Sequence, residues 1–258
     1  MYSYLQLKLK MASVSHNVSQ DAVDWRKYLT VIRDQGHCWC CWAFASTAAI
    51  EGAYNIFCPK VFYEVFGEKI FNPSVMHLSV QQLIDSVVID PTKNRVQRGT
   101  GCFTSSPNNA YRWILENGIC FDRHYPYLAE RGRPKEITAP VLRINGFSRV
   151  GQSEEEILKA VAKQPITAGI KFSSALLKFN GDGVYEGPPP DENQKCFGRH
   201  AVLVVGYSTT PEGKRYYLIR NSWGEKWGDH GYAKVSREKI NDEYLLSQFS
   251  YPDVGDQS

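Results

Sequence analysis

The sequence predicts an α+β protein with two parts, a helical first half and a second half made mostly of strands. Ala-rich or apolar segments with helical spacing concentrate before residue 125, and alternating or β-branched runs follow it. Helices and strands that are segregated in this way indicate two lobes. A groove between two lobes is where we expect a ligand-binding site.

Length and composition agree with a globular protein. The 258 residues are 43% hydrophobic, which is enough to bury one or two cores. The formal charge of +3 is spread along the chain, so no nucleic-acid partner is predicted. No apolar stretch reaches the roughly 20 residues of a membrane-spanning helix, so no membrane partner is predicted either. Lys8 and Lys10 interrupt the apolar start of the chain, so no secretory signal is recognisable there.

The first predicted helix starts at Cys41, within the run QGHCWCCWAFAS. Cys41 opens an Ala-rich segment with no Gly or Pro before Gly52, and this composition predicts a helix buried on most sides. A thiol at a helix N-terminus lies near the positive end of the peptide dipoles, which favours the thiolate. Cys41 is therefore the candidate nucleophile. The alternative is a small, buried and inert cysteine.

Caps and spacing predict three later helices. Ser79 can cap a short helix that ends near Asp85, and residues 110–117 read as a helix closed by Gly118. Ser153, followed by three glutamates, caps a further helix. Apolar and alternating runs predict strands over residues 166–172, 201–207 and 216–220.

A thiolate nucleophile needs a base that protonates the leaving group, and a third group that orients the base. The chain has six histidines. His200 stands at the start of a strongly apolar strand, in the run GRHAVLVVGY. Asn221 follows the next predicted strand, in the run NSWGEKWG. His200 is the candidate base and Asn221 the candidate orienting group.

The three segments around Cys41, His200 and Asn221 resemble those of papain-like cysteine peptidases, the family that includes the cathepsins. The family's first pattern is Gln-Gly-x-Cys-Gly-(Ser/Ala)-Cys-Trp-Ala-Phe. The resemblance, which is to a plant-type catalytic domain without its pro-region, implies a papain-like two-lobed fold. Its first lobe would be helical and its second an antiparallel, β-barrel-like lobe, with the active site in the cleft.

The resemblance also implies roles for four residues. Cys41 would be the nucleophile, His200 the base, Asn221 the orienting group, and Gln35 a donor to the oxyanion. The implied activity is that of a cysteine-type endopeptidase, which works through a thiolate–imidazolium pair and an acyl-enzyme and needs no cofactor.

The resemblance implies a substrate cleft as well. Its specificity pocket would be lined by Pro107, Gly169 and Ala201, favouring a medium apolar or aromatic substrate residue at the penultimate position. Trp223 would shield the hydrogen bond between His200 and Asn221. The full set of implied substrate-binding residues is Trp39, Thr104, Ser105, Pro107, Gly169, Arg199, Ala201 and Trp223.

Several of these residues depart from the family pattern. Trp39 replaces a glycine and could cover part of the cleft, while Thr104 and Ser105 place side chains where glycine backbone is expected. Arg199 is expected to lower the pKa of His200 by like-charge repulsion. The alternative interpretation is therefore a catalytically impaired member that acts as a peptide- or protein-binding module. A truncated product that folds poorly is a third possibility.

The seven cysteines are an odd number, as expected if one thiol stays free for catalysis. By resemblance, Cys38 pairs with Cys102. Cys40 is expected to be a buried neighbour of the nucleophile whose thiol points elsewhere. His37 and the nearby cysteines could also be read as a metal cluster, but structural zinc needs further paired ligands at short spacing, so no metal is predicted. The cysteines left unassigned are Cys58, Cys120 and Cys196.

The resemblance sets the predicted boundaries and partners. Residues 1–17 would be a leader or residual pro-segment, and residues 18–258 the peptidase domain. Its helical lobe would span about residues 18–125 and its β lobe about residues 126–258. Polypeptide substrates, cystatin-type inhibitors, a monomeric state and a lysosomal, vacuolar or extracellular location are expected by the same resemblance.

Overall fold

A computed structural model provides the fold, and it describes residues 22–58, 77–189, 197–240 and 242–255. The predicted leader, residues 1–17, lies outside the described residues. Short 3-10 turns occupy Arg26–Tyr28 and Asp122–His124. The helices are α1 (Cys41–Phe57), α2 (Val80–Ser86), α3 (Pro107–Asn117), α4 (Glu154–Val161) and α5 (Ser174–Lys178).

Helix α1 starts at Cys41, where the sequence predicts a helix, and is buried along almost its whole length. It continues through Gly52, where the helix packs closely against its neighbours. A Cβ at this position would lie 3.0 Å from Leu29 Cδ2 and 3.2 Å from Pro165 Cγ. The loss of helix propensity at this glycine is thus offset by close packing.

Serine caps position the other helices. The hydroxyls of Ser79 and Ser153 accept hydrogen bonds from backbone N–H groups in the first turns of α2 and α4, as predicted. Helix α3 begins three residues before the predicted start, because Ser106 caps it and Pro107 occupies its first turn. Proline is tolerated there, since the first N–H groups of a helix have no partner within the helix.

In the described part of the chain, eight strands form one large sheet that is mostly antiparallel. Their order is β2-β8-β3-β5-β6-β7-β4, and β1 pairs with β5 outside this path. Only the β4–β7 pair is parallel among the pairings in the described part of the chain. The strands are β1 (Val23–Asp24), β2 (Gly146–Arg149), β3 (Ile166–Phe172), β4 (Val184–Tyr185), β5 (Gly198–Thr209), β6 (Arg215–Arg220), β7 (Tyr232–Ser236) and β8 (Leu246–Asp253).

The described residues contain two hydrophobic cores. One surrounds α1, α2 and α3, and the other lies between α4 and the sheet. The sequence does not divide cleanly between them, because β1 lies in the first half of the chain yet pairs with β5, with Val23 opposite Tyr207. Helix α1 also packs against β5. This contact brings the start of α1 to the strand that carries His200.

Candidate active site

Cys41 is the first residue of α1, and its sulfur meets the sheet. The backbone N–H of Ala201 donates a hydrogen bond to Cys41 Sγ at 3.4 Å. Ala201 follows His200 in β5. Cys41, His200 and Ala201 line the same cavity. The predicted nucleophile and the predicted base therefore lie in one cleft.

His200 is held by two neighbours, both of which the sequence predicts. Its Nε2 lies 2.7 Å from Asn221 Oδ1, and the two residues are only 5% and 4% exposed. The backbone N–H of Ser222 also donates to Asn221 Oδ1, at 2.8 Å. Trp223 stacks on the imidazole, with a centroid distance of 4.3 Å and an interplanar angle of 29°. The indole ring thus packs against one face of the imidazole.

Gln35 is buried and fixed by hydrogen bonds on both sides of its amide. Its Nε2 donates to the carbonyl of Cys38 at 2.7 Å, and its Oε1 accepts from the hydroxyl of Ser222 at 2.7 Å. Its backbone N–H donates to the carbonyl of Ser222. A primary amide nitrogen carries two hydrogens, so one of them is available to a ligand.

Burial dominates the electrostatics of the predicted pair. It raises the pKa of the Cys41 thiol, although the backbone N–H groups of Ala201, Trp42 and Cys41 itself act in the opposite direction. The start of α1 therefore favours the thiolate as predicted, but burial outweighs it. Burial also lowers the pKa of His200 to about 4, while the bond to Asn221 raises it. Each charge alone is disfavoured in the cleft, whereas a thiolate and an imidazolium formed together would offset each other.

The predicted role of Arg199 in this electrostatics is wrong. The pKa of His200 is lowered as expected, but the cause is burial, and Arg199 is not among the groups that shift it. Arg199 is exposed, so water screens its charge.

A cavity of about 450 Å³ adjoins Cys41 and His200. Six of the eight predicted substrate-binding residues line it. The exceptions are Trp39 and Trp223. Trp39 is 38% exposed and stacks with Arg95, whose guanidinium lies 5.5 Å from the ring centroid. The six lining residues are Thr104, Ser105, Pro107, Gly169, Arg199 and Ala201.

The two residues that replace the expected glycines direct their hydroxyls toward the protein. Thr104 Oγ1 accepts from the backbone N–H of Arg95 at 2.8 Å. Ser105 Oγ accepts from Asn109 Nδ2 at 3.2 Å. The side chains are therefore held against their own wall of the cleft.

The described cysteines other than Cys41 are all buried. Cys38 and Cys102 form a disulfide, the pair implied by the resemblance, with their Cα atoms 5.4 Å apart. Cys40 is fully buried, and its sulfur lies 3.2 Å from Tyr127 Oη, so its thiol points away from the cleft. Cys58 and Cys120 are buried, and Cys196 lies outside the described residues. No group of three or more metal-ligating side chains occurs in the described part of the chain.

Sequence reasoning missed Arg149 and Gln248, which line the same cavity. Neither residue belongs to a recognisable motif. Gln248 has a φ of 59° where β8 shifts register against β3, and no feature of the sequence indicates this irregularity.

Comparison with known proteins matches residues 19–252 to the model of the papain family cysteine proteases. The chain belongs to this family. Its papain-family relatives include cathepsin Q of Rattus norvegicus, which is 36% identical over 245 residues, and the cysteine endopeptidase RepA of Oryza sativa, which is 34% identical over 241 residues. Each match covers 90% of this chain, but only 63% and 57% of those relatives. The chain thus spans less than two thirds of their length.

Solved structures of the papain family share the fold. Bromelain from Ananas comosus, in complex with the E64 inhibitor, superposes with a TM-score of 0.69 at 29% identity and covers 90% of this chain and 98% of its own. The ragweed pollen allergen Amb a 11, in its proform, gives 0.70 at 30% identity and covers 92% and 67%. The papain-like α+β fold predicted from the sequence is confirmed. No described helix is both long and apolar enough to cross a membrane.

Proposed function

We propose that this chain is a cysteine-type endopeptidase in which Cys41 is the nucleophile and His200 the base. The observation that carries the proposal is the hydrogen bond from the Ala201 N–H to Cys41 Sγ, because it places the sulfur beside the strand that presents His200. Family membership supports the same reaction class.

In the proposed reaction, the proton of the Cys41 thiol passes to His200 and the sulfur attacks the carbonyl carbon of a peptide bond. The oxyanion that forms accepts hydrogen bonds from the Cys41 backbone N–H and the second N–H of the Gln35 amide. His200 then gives its proton to the leaving amine, and the carbon–nitrogen bond breaks to leave a thioester. A water molecule, deprotonated by His200, attacks the thioester and releases the new carboxylate and the thiol.

Asn221 would keep the His200 ring facing Cys41 through the reaction. Its Oδ1 lies against His200 Nε2, which leaves the other ring nitrogen, Nδ1, for the proton transfer. Trp223 would exclude water from this bond, since its ring stacks on the imidazole. Retention of all four predicted catalytic residue types weighs against the binding-module alternative.

Covalent labelling tests the proposal. Folded wild-type protein, treated with an epoxide inhibitor of the E-64 type and analysed by mass spectrometry, should carry one label, at Cys41. The matched control is Cys40→Ala, which should be labelled at Cys41 as well, because the Cys40 thiol is buried against Tyr127. Absence of label on folded protein would contradict the proposal.

Peptide cleavage separates the two interpretations. Wild-type protein should cleave a fluorogenic peptide, and Cys41→Ala should lose this activity. Equal background rates in both proteins, together with peptide binding, would favour the binding module. Polypeptide substrates, inhibition by cystatin-type proteins, a monomeric state and a lysosomal, vacuolar or extracellular location remain predictions from the family resemblance.

A further inference from the structure

The cavity beside Cys41 carries two arginines. Arg149, at the end of β2, and Arg199, at the start of β5, both line it, and both side chains are exposed. The only other ionisable groups among its described lining residues are Cys41 and His200. No described residue forms an ion pair or hydrogen bond with either guanidinium. Both charges are therefore available to a ligand in this cavity.

The acidic side chain near Arg199 is Glu243, and it already forms an ion pair with another residue. Arg199 lies opposite Lys171 in the β3–β5 pairing, and Arg199 lowers the pKa of Glu243. The larger cause of this lowering is Lys171, which forms an ion pair with Glu243. The carboxylate of Glu243 thus interacts first with Lys171, and the charge of Arg199 is not neutralised within its own wall.

Arg199 and Gln248 both lie close to Gly169 in the wall of the cavity. A Cβ at Gly169 would lie 3.4 Å from Arg199 Cδ and 3.3 Å from Gln248 Oε1. The stem of Arg199 and the amide of Gln248 therefore lie within contact distance of a side chain at this position. A larger residue at this position would displace them.

The remaining walls of the cavity divide into an apolar and a polar part. Polar groups include Asn108, whose Oδ1 is buried without a hydrogen-bond partner. An acceptor of this kind would suit an amide ligand, so glutamine is the relevant competitor of glutamate. The apolar lining residues are Pro107, Val150, Ala168, Ala201 and Phe249.

We propose that this cavity binds the side chain of a glutamate in a peptide substrate. The methylene groups would pack on the apolar lining, and the carboxylate would lie between Arg149 and Arg199, since guanidinium groups pair well with carboxylates. This inference rests on the proposed peptidase function. It replaces the expectation of an apolar or aromatic occupant, because the two arginines favour a negative charge.

The test uses four fluorogenic peptides that differ only at the second residue on the amino side of the cleaved bond, which is Glu, Gln, Leu or Arg. At pH 7 and low ionic strength, kcat/KM should be about two- to fivefold higher for Glu than for Gln, within the range expected for exposed charge pairs. The ratio should fall toward one in Arg149→Gln, in Arg199→Gln and at high salt. Lys159→Gln removes an exposed charge on α4 outside the cavity and should keep the ratio.

Binding separates this inference from the peptidase proposal. The Cys41→Ala protein, which does not need to cleave, should bind the Glu peptide more tightly than the Gln peptide by a similar factor. If Cys41→Ala binds the Glu peptide more tightly but the wild-type protein cleaves no peptide, the pocket assignment stands and the peptidase proposal fails. Equal or better use of Gln or Leu, or a Glu preference that survives both arginine variants, overturns the pocket assignment.

Discussion

The inner part of the cleft and the cavity beside it are built from opposite kinds of groups. Gln35, His200 and Asn221 are buried, and each is held by hydrogen bonds to protein atoms. Arg149 and Arg199 are exposed, and neither guanidinium forms a hydrogen bond or ion pair with a described residue. Burial and fixed geometry thus govern the proposed chemistry, whereas charge that water and salt can screen governs the proposed selectivity.

Gln35→Ala should have the largest effect, because it removes a donor that is already in position for the oxyanion. Loss of one such donor lowers kcat by about 10²- to 10³-fold, which corresponds to about 3–4 kcal/mol of transition-state stabilisation. Steady-state kinetics on a fluorogenic peptide measures this loss, with KM expected to change little.

The matched control for Gln35→Ala is Ser222→Ala. This variant keeps the Gln35 donor and removes only the hydroxyl that binds its Oε1. Its loss of activity should be clearly smaller. A Gln35→Ala protein with near wild-type kcat would show that other groups bind the oxyanion. It would contradict the claim that the buried, fixed amide of Gln35 stabilises the transition state.

The sequence predicts the inner site well, because each of its residues lies in a long and specific segment. Cys41 starts an apolar helix, His200 starts an apolar strand, and Asn221 follows the next one, so backbone structure alone carries them to the cleft. The caps at Ser79 and Ser153 are equally local signals, and both are found in the structure.

The cavity could not be predicted in the same way. Arg149 reaches it because β2 pairs with β8, where Arg149 lies opposite Ser250. Gln248 reaches it through an irregularity in β8 that local sequence does not encode. The pKa of Cys41 was also beyond sequence reasoning, because a helix terminus is visible in a sequence but the extent of burial is not.

The pH dependence of stability should report the burial of His200. Its pKa in the folded protein is about 4, below the ordinary 6.5. Between these two values the unfolded chain binds a proton that the folded chain does not. The stability contributed by neutral His200 is therefore complete above about pH 6.5 and is lost as the pH falls toward about 4, up to about 3 kcal/mol.

Urea unfolding measures this loss in a Cys41→Ala background, where no thiolate can pair with the imidazole. Lowering the pH from 7 to 4.5 should destabilise Cys41→Ala more than Cys41→Ala/His200→Gln, because glutamine does not titrate. Identical pH curves for the two proteins would show that His200 is not held neutral by burial. Proteins that keep Cys41 should lose less stability if the thiolate–imidazolium pair forms.

Glu51 extends the comparison to a buried carboxylate that lies outside the proposed chemistry. Its two oxygens accept from Thr30 Oγ1 and from the backbone N–H of Leu78, each at 2.7 Å. Glu51→Gln replaces one acceptor by a donor, which leaves a buried donor unsatisfied and should cost about 1–3 kcal/mol of unfolding free energy. Glu116→Gln, on the exposed face of α3, is the control and should stay within about 0.5 kcal/mol of wild type. Equal unfolding free energies would contradict the structure.

Trp39→Gly changes an exposed residue and should have the smallest effect on activity. The ring stacks on Arg95 and does not line the cavity, so restoring the glycine that is typical of the family should leave kcat/KM nearly unchanged. Loss of the cation–π contact and the added freedom of glycine should lower the unfolding free energy by about 1 kcal/mol. Peptide kinetics and urea unfolding of the same preparation measure both quantities. A rise of kcat/KM by about fivefold or more would mean that the Trp39 ring covers part of the cleft, as the sequence alone suggests. The exposed ring would then hinder the reaction at the buried catalytic residues.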